Sequence, residues 1–194
     1  MSFFDFADHP LLLSQRRNFL RRSGLALSAT AVAMLAGREA LAQGAKKTGA
    51  TGDDVRILNT ALGAELEAVA AYEVGAKSGL LQKPVQSLAL TFQGHHKEHA
   101  DILAKTIAKL GGKAAPAKDK YNFPTDTLKS QNDVLRFAAK LEQGAVGAYL
   151  GAVPLFHDRD LSKAAASILG DEAMHWAVLR QALGEVPVPS AFVS

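Results

Sequence analysis

Four long amphipathic segments, separated by three links of unequal length, constrain the fold of this 194-residue chain more than any other feature. In each segment apolar residues recur at steps of three and four, which is the period of an α-helix with one buried face. Clusters of glycine, proline and asparagine that would separate many short strands are few. The pattern therefore predicts an all-α fold of four helices.

Capping and stop residues give these helices approximate bounds. The predicted helices cover residues 53–77, 84–110, 130–153 and 161–183. Asp53 or Asp54 is the predicted N-cap of the first helix and Asp160 that of the fourth, because a carboxylate accepts hydrogen bonds from the free N–H groups of a first turn. The predicted buried stripes comprise Leu58, Ala61, Leu62, Ala68, Val69 and Tyr72; Leu88, Phe92, Ile102, Leu103 and Leu110; Leu135, Ala138, Leu141, Ala145, Val146 and Tyr149; and Ile168, Leu169, Leu179 and Leu183.

The lengths of the links predict how the helices are arranged. About five residues join the first two helices, and about five join the last two, so each pair forms an antiparallel hairpin. The middle link, residues 111–129, can extend over roughly 60 Å at about 3.3 Å per residue. A helix of about 25 residues is only about 38 Å long. The middle link can therefore run the length of a bundle, which predicts two antiparallel helical hairpins joined by a long crossover.

Charged or ionisable side chains interrupt all four apolar stripes near their middles. These residues are Glu65, His99, Glu142, Glu172 and His175. Burying an unpaired carboxylate costs roughly several kcal/mol. When all four helices do this at a similar depth, the pattern indicates that the side chains meet a cation.

The same positions form an internal repeat. Glu65-x6-Tyr72 recurs 77 residues later as Glu142-x6-Tyr149, and His96-x-x-His99 recurs 76 residues later as Glu172-x-x-His175. The first hairpin thus corresponds to the second, as in a bundle of two halves related by a pseudo-twofold axis. Residues three apart share one helix face, so Glu172 and His175 can bind the same ion.

On these motifs the chain resembles the ferritin-like superfamily, and in particular exported bacterial ferritin-like proteins related to the plant desiccation-associated family. The motifs are the two Glu-x6-Tyr pairs, Asp171-Glu172-x-x-His175, and Leu-Gly-Glu-Val-Pro-Val-Pro at residues 183–189. The resemblance covers residues 53–194. It implies a ferritin-like four-helix bundle with a carboxylate-bridged metal site in its core.

The resemblance also implies a role for each site residue. Glu65 and Glu142 would be terminal ligands, Glu172 a bridging ligand and His175 a nitrogen ligand. Asp171 would hold the histidine of the neighbouring helix, and Tyr72 and Tyr149 would form hydrogen bonds near the site. The full set of predicted metal ligands is Glu65, His96, His99, Glu142, Glu172 and His175.

The second helix departs from the family pattern. Where the family has Asp-Glu-x-x-His, this chain has His95 and His96 in place of the two acidic residues. A neutral imidazole at His96 gives one nitrogen to one ion and cannot bridge as a carboxylate does. The resemblance favours iron, and nitrogen-rich coordination leaves manganese, zinc and copper as alternatives, with one or two ions bound. We expect His95 to be exposed rather than to bind the ion.

The N-terminal segment resembles a twin-arginine export signal. Arg16-Arg17-Asn18-Phe19-Leu20 precedes an apolar run over 24–37, and Ala40-Leu41-Ala42 is typical of a cleavage site. We therefore predict a signal peptide at 1–42, a flexible linker at 43–52, the bundle at 53–185 and a tail at 186–194. This organisation predicts a periplasmic protein with no stable membrane anchor after cleavage.

Composition excludes several function classes. The chain has no cysteine, which excludes thiol chemistry and disulfides. Of its net charge of +3, two charges lie in residues 1–42, so the remainder offers no electrostatic basis for binding nucleic acid. The sequence favours a metal-binding protein with redox or peroxide chemistry, or alternatively a non-catalytic stress or desiccation-related envelope protein. Whether it is an enzyme, and whether it forms a homodimer, stay open. Glu67 and Glu73 are expected in solvent, and Trp176 in packing.

Overall fold

The computed structural model describes residues 49–193 of the chain. Its four long helices are α1 (Ala50–Lys77), α2 (Lys83–Lys109), α3 (Gln131–Ala152) and α4 (Arg159–Ala182), with short 3-10 turns at Thr125–Thr127 and Val153–Leu155. No strand occurs within residues 49–193. The predicted all-α fold is confirmed. The predicted signal peptide and most of the predicted linker lie outside the described residues.

The helices pair as two hairpins. α1 packs on α2 and α3 packs on α4, while α1 also packs against α3. The chain from 110 to 130 crosses from one hairpin to the other and holds only one short 3-10 turn. The predicted four-helix bundle with a long crossover is therefore confirmed. None of the helices in the described part of the chain is long and apolar enough to cross a membrane.

The start of α1 differs from its prediction. The helix begins at Ala50 after Gly49, so residues 50–52 are helical rather than part of the linker. No side chain caps this end. The Asp54 carboxylate instead accepts hydrogen bonds from the backbone N–H groups of His157 (2.8 Å) and Asp158 (3.0 Å), 103 and 104 residues away. Asp54 thus ties the start of α1 to the start of α4.

The cap of α4 also differs from its prediction. The helix begins two residues early, and Asp158 accepts hydrogen bonds from the N–H groups of Asp160 and Leu161. Asp160 lies inside the first turn, where its negative charge still favours the helix N-terminus. The stop signal is as predicted, since Gly184 has a φ of +74° just after the helix.

Two apolar clusters fill the bundle on either side of a polar layer. One contains Leu58, Ala61, Leu62, Ala100, Leu103, Ile107, Tyr149, Ala165 and Ile168, and the other contains Tyr72, Phe92, Leu135, Ala139 and Leu179. Trp176 packs against the second cluster, as predicted. Two predictions are wrong: Ile102 is 55% exposed, and Glu67 is buried. Ile102 lies at the edge of its helix's predicted stripe, where the period alone does not fix which side faces the neighbouring helices. Glu67 lies outside the predicted stripe of its helix, so the period gave no signal of its burial.

Candidate metal centre

All six predicted ligands meet in the polar layer between the two apolar clusters. Each helix contributes at least one of them, and all but His99 are at most 2% exposed. Their donor atoms form two overlapping groups, within each of which every donor lies within 4.8 Å of the others. We call Glu65, His96, His99 and Glu172 the first quartet, and His96, Glu142, Glu172 and His175 the second quartet. His96 and Glu172 belong to both.

His96 occupies the centre of this cluster. Its Nδ1 lies 2.8 Å from Glu65 Oε2 and 3.6 Å from Glu172 Oε1, on the side of the first quartet. Its Nε2 lies 3.3 Å from Glu142 Oε1, on the side of the second quartet. One imidazole therefore faces both quartets, at the position where the family pattern has a bridging carboxylate.

Two buried tyrosines hold the carboxylates that are predicted to be terminal ligands. The Tyr149 hydroxyl donates to Glu65 Oε1 at 2.6 Å, and the Tyr72 hydroxyl donates to Glu142 Oε1. Each bond joins one hairpin to the other, so the two Glu-x6-Tyr motifs of the sequence repeat pair with each other in the structure. Burial and the neighbouring carboxylate raise the pKa of both tyrosines, which keeps them protonated as donors.

The carboxylates and imidazoles of the cluster stabilise each other's charged forms. Burial by itself would lower the pKa of His96, but hydrogen bonds with Glu142 and Glu65 outweigh it and raise this pKa to about 11. Burial is likewise outweighed at His99 and His175, where glutamates raise each pKa to about 9. Burial would raise the pKa of Glu65 and of Glu142, yet the adjacent histidines lower both.

Several buried donor and acceptor atoms of the cluster have no hydrogen-bond partner. Within residues 49–193 such side-chain atoms are His99 Nδ1, Glu142 Oε2, both carboxylate oxygens of Glu172, and His175 Nδ1. The nearest pairs, such as His99 Nδ1 and Glu172 Oε1 at 3.1 Å, are close but not aligned as hydrogen bonds. Buried polar atoms in native proteins almost always have partners. Nitrogen and oxygen atoms that converge in this way fit a divalent transition metal.

Asp171 and His95 lie at the outer edge of the cluster. Asp171 Oδ2 is 3.4 Å from His99 Nε2 and 3.2 Å from His175 Nε2, so this carboxylate faces a histidine of the neighbouring helix as expected. The His95 side chain is 41% exposed, but its Nδ1 lies 2.8 Å from His175 Nε2 and 3.2 Å from Asp171 Oδ2. The expectation that His95 is merely exposed is therefore incomplete. Its position one residue before His96 is the sequence signal that could have indicated this contact.

The fold and the cluster define a four-helix bundle with a core of carboxylate and histidine side chains. The family model of the ferritin-like domain matches residues 53–185. This match covers more than half of the chain, and the chain therefore belongs to the ferritin-like domain family.

Solved structures show the same fold. A conserved hypothetical protein, rv2844, from Mycobacterium tuberculosis matches with a TM-score of 0.63 and 23% identity, over 73% of this chain and 99% of that one. A protein described as one of the ferritin-like, diiron-carboxylate proteins of Bacillus anthracis matches with a TM-score of 0.61 and 18% identity, over 70% of this chain and 99% of that one. No curated protein matches the sequence significantly.

Proposed function

We propose that this chain is an exported ferritin-like protein that binds one or two metal ions, iron foremost, in the core of its bundle. The observation that carries the proposal is the set of buried, unpartnered donor atoms on His99, Glu142, Glu172 and His175. These atoms converge from three helices on the layer between the apolar clusters. The likeness to a protein described as diiron-carboxylate supports iron, and the nitrogen-rich set leaves manganese, zinc and copper as alternatives.

In this proposal each residue has a definite task. Glu65 and Glu142 hold the ions from opposite sides, and Tyr149 and Tyr72 fix the orientation of these carboxylates. Glu172 lies in both quartets with both oxygens free of hydrogen bonds, so it is the carboxylate able to serve two ions. His99 and His175 each direct an unpartnered Nδ1 into the cluster.

A redox-active ion at this centre would supply one-electron or peroxide chemistry. The chain itself keeps bulk water away, since the carboxylates and His96 are nearly fully buried. Within residues 49–193 two cavities are lined mainly by apolar side chains, together with Tyr72 in one and with Tyr149 and Thr106 in the other. We therefore expect any reaction at this centre to use a small, uncharged oxidant that could pass between apolar side chains, rather than a large substrate.

A second candidate function has an observation in its favour. His96 lies between Glu65 and Glu142, where its protonated form pairs with both carboxylates in the way a cation would. Because protonated His96 already compensates the negative charge of these carboxylates, such a network depends less on a bound metal ion. A non-catalytic stress or desiccation-related envelope protein with a degenerate site would be built in this way.

Elemental analysis of the protein purified from its native compartment separates the two functions. We expect at least one transition-metal ion per chain that survives dialysis against metal-free buffer. Glu172→Gln keeps the side-chain shape but removes the shared negative charge, so this tightly bound ion should be lost. His157→Ala is the matched control, because this histidine is exposed beyond the layer, at the start of α4. Metal-free native protein, or equal metal in wild type and Glu172→Gln, would favour the non-catalytic function.

Export is proposed on the sequence of residues 1–42 alone. A twin-arginine route carries folded proteins, so the ion could be loaded before export. Replacement of Arg16 and Arg17 by lysine should leave folded protein in the cytoplasm, and the mature N-terminus of the wild type should lie near Gln43. Normal export of the double variant would contradict the twin-arginine assignment.

A further inference from the structure

A third group of donor atoms lies outside the two quartets and has no part in the function proposed above. It consists of His95 Nδ1, Asp171 Oδ2 and His175 Nε2, which come from the facing helices α2 and α4. The three atoms are 2.8 Å, 3.2 Å and 3.2 Å apart. We call these residues the outer triad.

The spacing of the triad suits one metal ion. Donors held about 2.0–2.1 Å from a transition-metal ion, at tetrahedral or octahedral angles, are roughly 2.8–3.4 Å from one another. Two imidazoles and one carboxylate form a ligand set that zinc and iron(II) use in proteins, with the remaining positions open to water. The set therefore selects a divalent transition metal over magnesium or calcium, which prefer oxygen ligands.

Exposure changes steadily across the triad. The His95 side chain is 41% exposed, that of Asp171 is 23% exposed, and that of His175 is 2% exposed. The triad therefore reaches from solvent to the wall of the second quartet. The Phe92 ring stacks on His175 at 4.1 Å between ring centroids, which holds the imidazole in this orientation.

His175 connects the triad with the second quartet. Its Nε2 belongs to the triad, whereas its Nδ1 lies 3.3 Å from Glu172 Oε2 and 3.6 Å from Glu142 Oε1. A neutral imidazole has one lone pair and one N–H, so it binds an ion through only one of these nitrogens at a time. Occupation of the triad and full occupation of the second quartet are therefore mutually exclusive.

We propose that His95, Asp171 and His175 form a solvent-facing loading site that takes a divalent transition-metal ion and passes it to the second quartet. As the ion moves inward, the proton of His175 moves from Nδ1 to Nε2, where Asp171 accepts its hydrogen bond. The role in loading rests on the inner metal centre proposed above. Binding of an ion by the triad itself does not.

The test of the site uses Zn²⁺ alone and the Glu172→Gln variant. Removing the carboxylate shared by both quartets should leave one weaker, exchangeable Zn²⁺ site per chain at the triad, measured by calorimetry with added Zn²⁺. Adding His95→Ala should weaken this remaining binding by about a hundredfold. Adding His157→Ala instead should leave it unchanged. If Glu172→Gln binds no Zn²⁺, or if its binding survives His95→Ala, the outer site is refuted.

The test of loading uses the otherwise unmodified chain, so it does not depend on how the buried variant folds. In stopped-flow uptake of Zn²⁺, His95→Ala should slow filling of the inner centre several-fold with the final number of ions unchanged. Equal rates in His95→Ala and wild type would overturn the loading role. If wild type binds a single Zn²⁺ that is lost in His95→Ala but kept in Glu172→Gln, the proposed inner metal centre is refuted and the outer site is supported.

Discussion

Changing His96 to glutamate should destabilise the metal-free protein and increase the number of ions that the metal-loaded protein binds. In the metal-free protein the imidazole is a buried cation 2.8 Å from Glu65, 3.3 Å from Glu142 and 3.6 Å from Glu172. The substitution removes this cation and places a fourth carboxylate among the other three. Breaking a buried ion pair by removing one partner costs about 3–5 kcal/mol.

The expected size of the effect follows from this cost. For a domain of this size each kcal/mol lowers the melting temperature by roughly 3–5 °C, so metal-free His96→Glu should melt roughly 9–25 °C below wild type. With metal in excess the difference between the two proteins should narrow, because the fourth carboxylate restores the second bridging ligand and allows a second ion to bind. Each ion present at a hundred times its Kd adds about 2.7 kcal/mol, so the one additional ion in His96→Glu would recover about 2.7 kcal/mol of the loss.

The assay is a melting curve with chelator and with Fe²⁺ under anaerobic conditions, together with a count of bound ions. We expect one tightly bound ion in wild type and two in His96→Glu, with a gain in ferroxidase-like activity. His96→Gln is the control, since it removes the cation without adding a charge and should not gain the second ion. Two tightly bound irons in wild type, or equal melting temperatures of metal-free His96→Glu and metal-free wild type, would contradict this prediction.

Further predictions concern His96, Asp54 and Tyr149. Metal-free protein should lose stability as pH rises above 6.5, because folding raises the pKa of His96 from 6.5 to about 11. The stabilisation from protonated His96 is complete below pH 6.5 and is lost as pH passes about 11. A melting temperature that does not change with pH in the presence of chelator would contradict this. Asp54→Ala should lower the free energy of unfolding by about 1–3 kcal/mol, since two backbone N–H groups near the start of α4 lose their acceptor. Denaturant unfolding measures this loss, with Asp126→Ala, in the crossover, as the control. Tyr149→Phe should weaken metal binding about tenfold or more by releasing Glu65, whereas Tyr121→Phe, in the crossover, should have no effect in the same titration.

The sequence by itself determined the helices, their pairing and the residues that gather in the core. Helical period and stop residues are local signals, and the lengths of the links decide which helices can be neighbours. Charged residues at matched positions in the stripes, such as Glu65 and Glu142, must share one layer once the hairpins align. This is why all six predicted ligands lie together, although their binding of metal remains a prediction.

Only the tertiary structure decided how these side chains face one another. The bundle turns the two nitrogens of His96 toward different quartets, and it brings His95 against His175 across 80 residues of chain. It also turns Asp54 away from its own helix end to the start of α4. These contacts depend on the rotation and axial position of each helix against its neighbours, which packing of the whole core fixes and a periodic pattern leaves free.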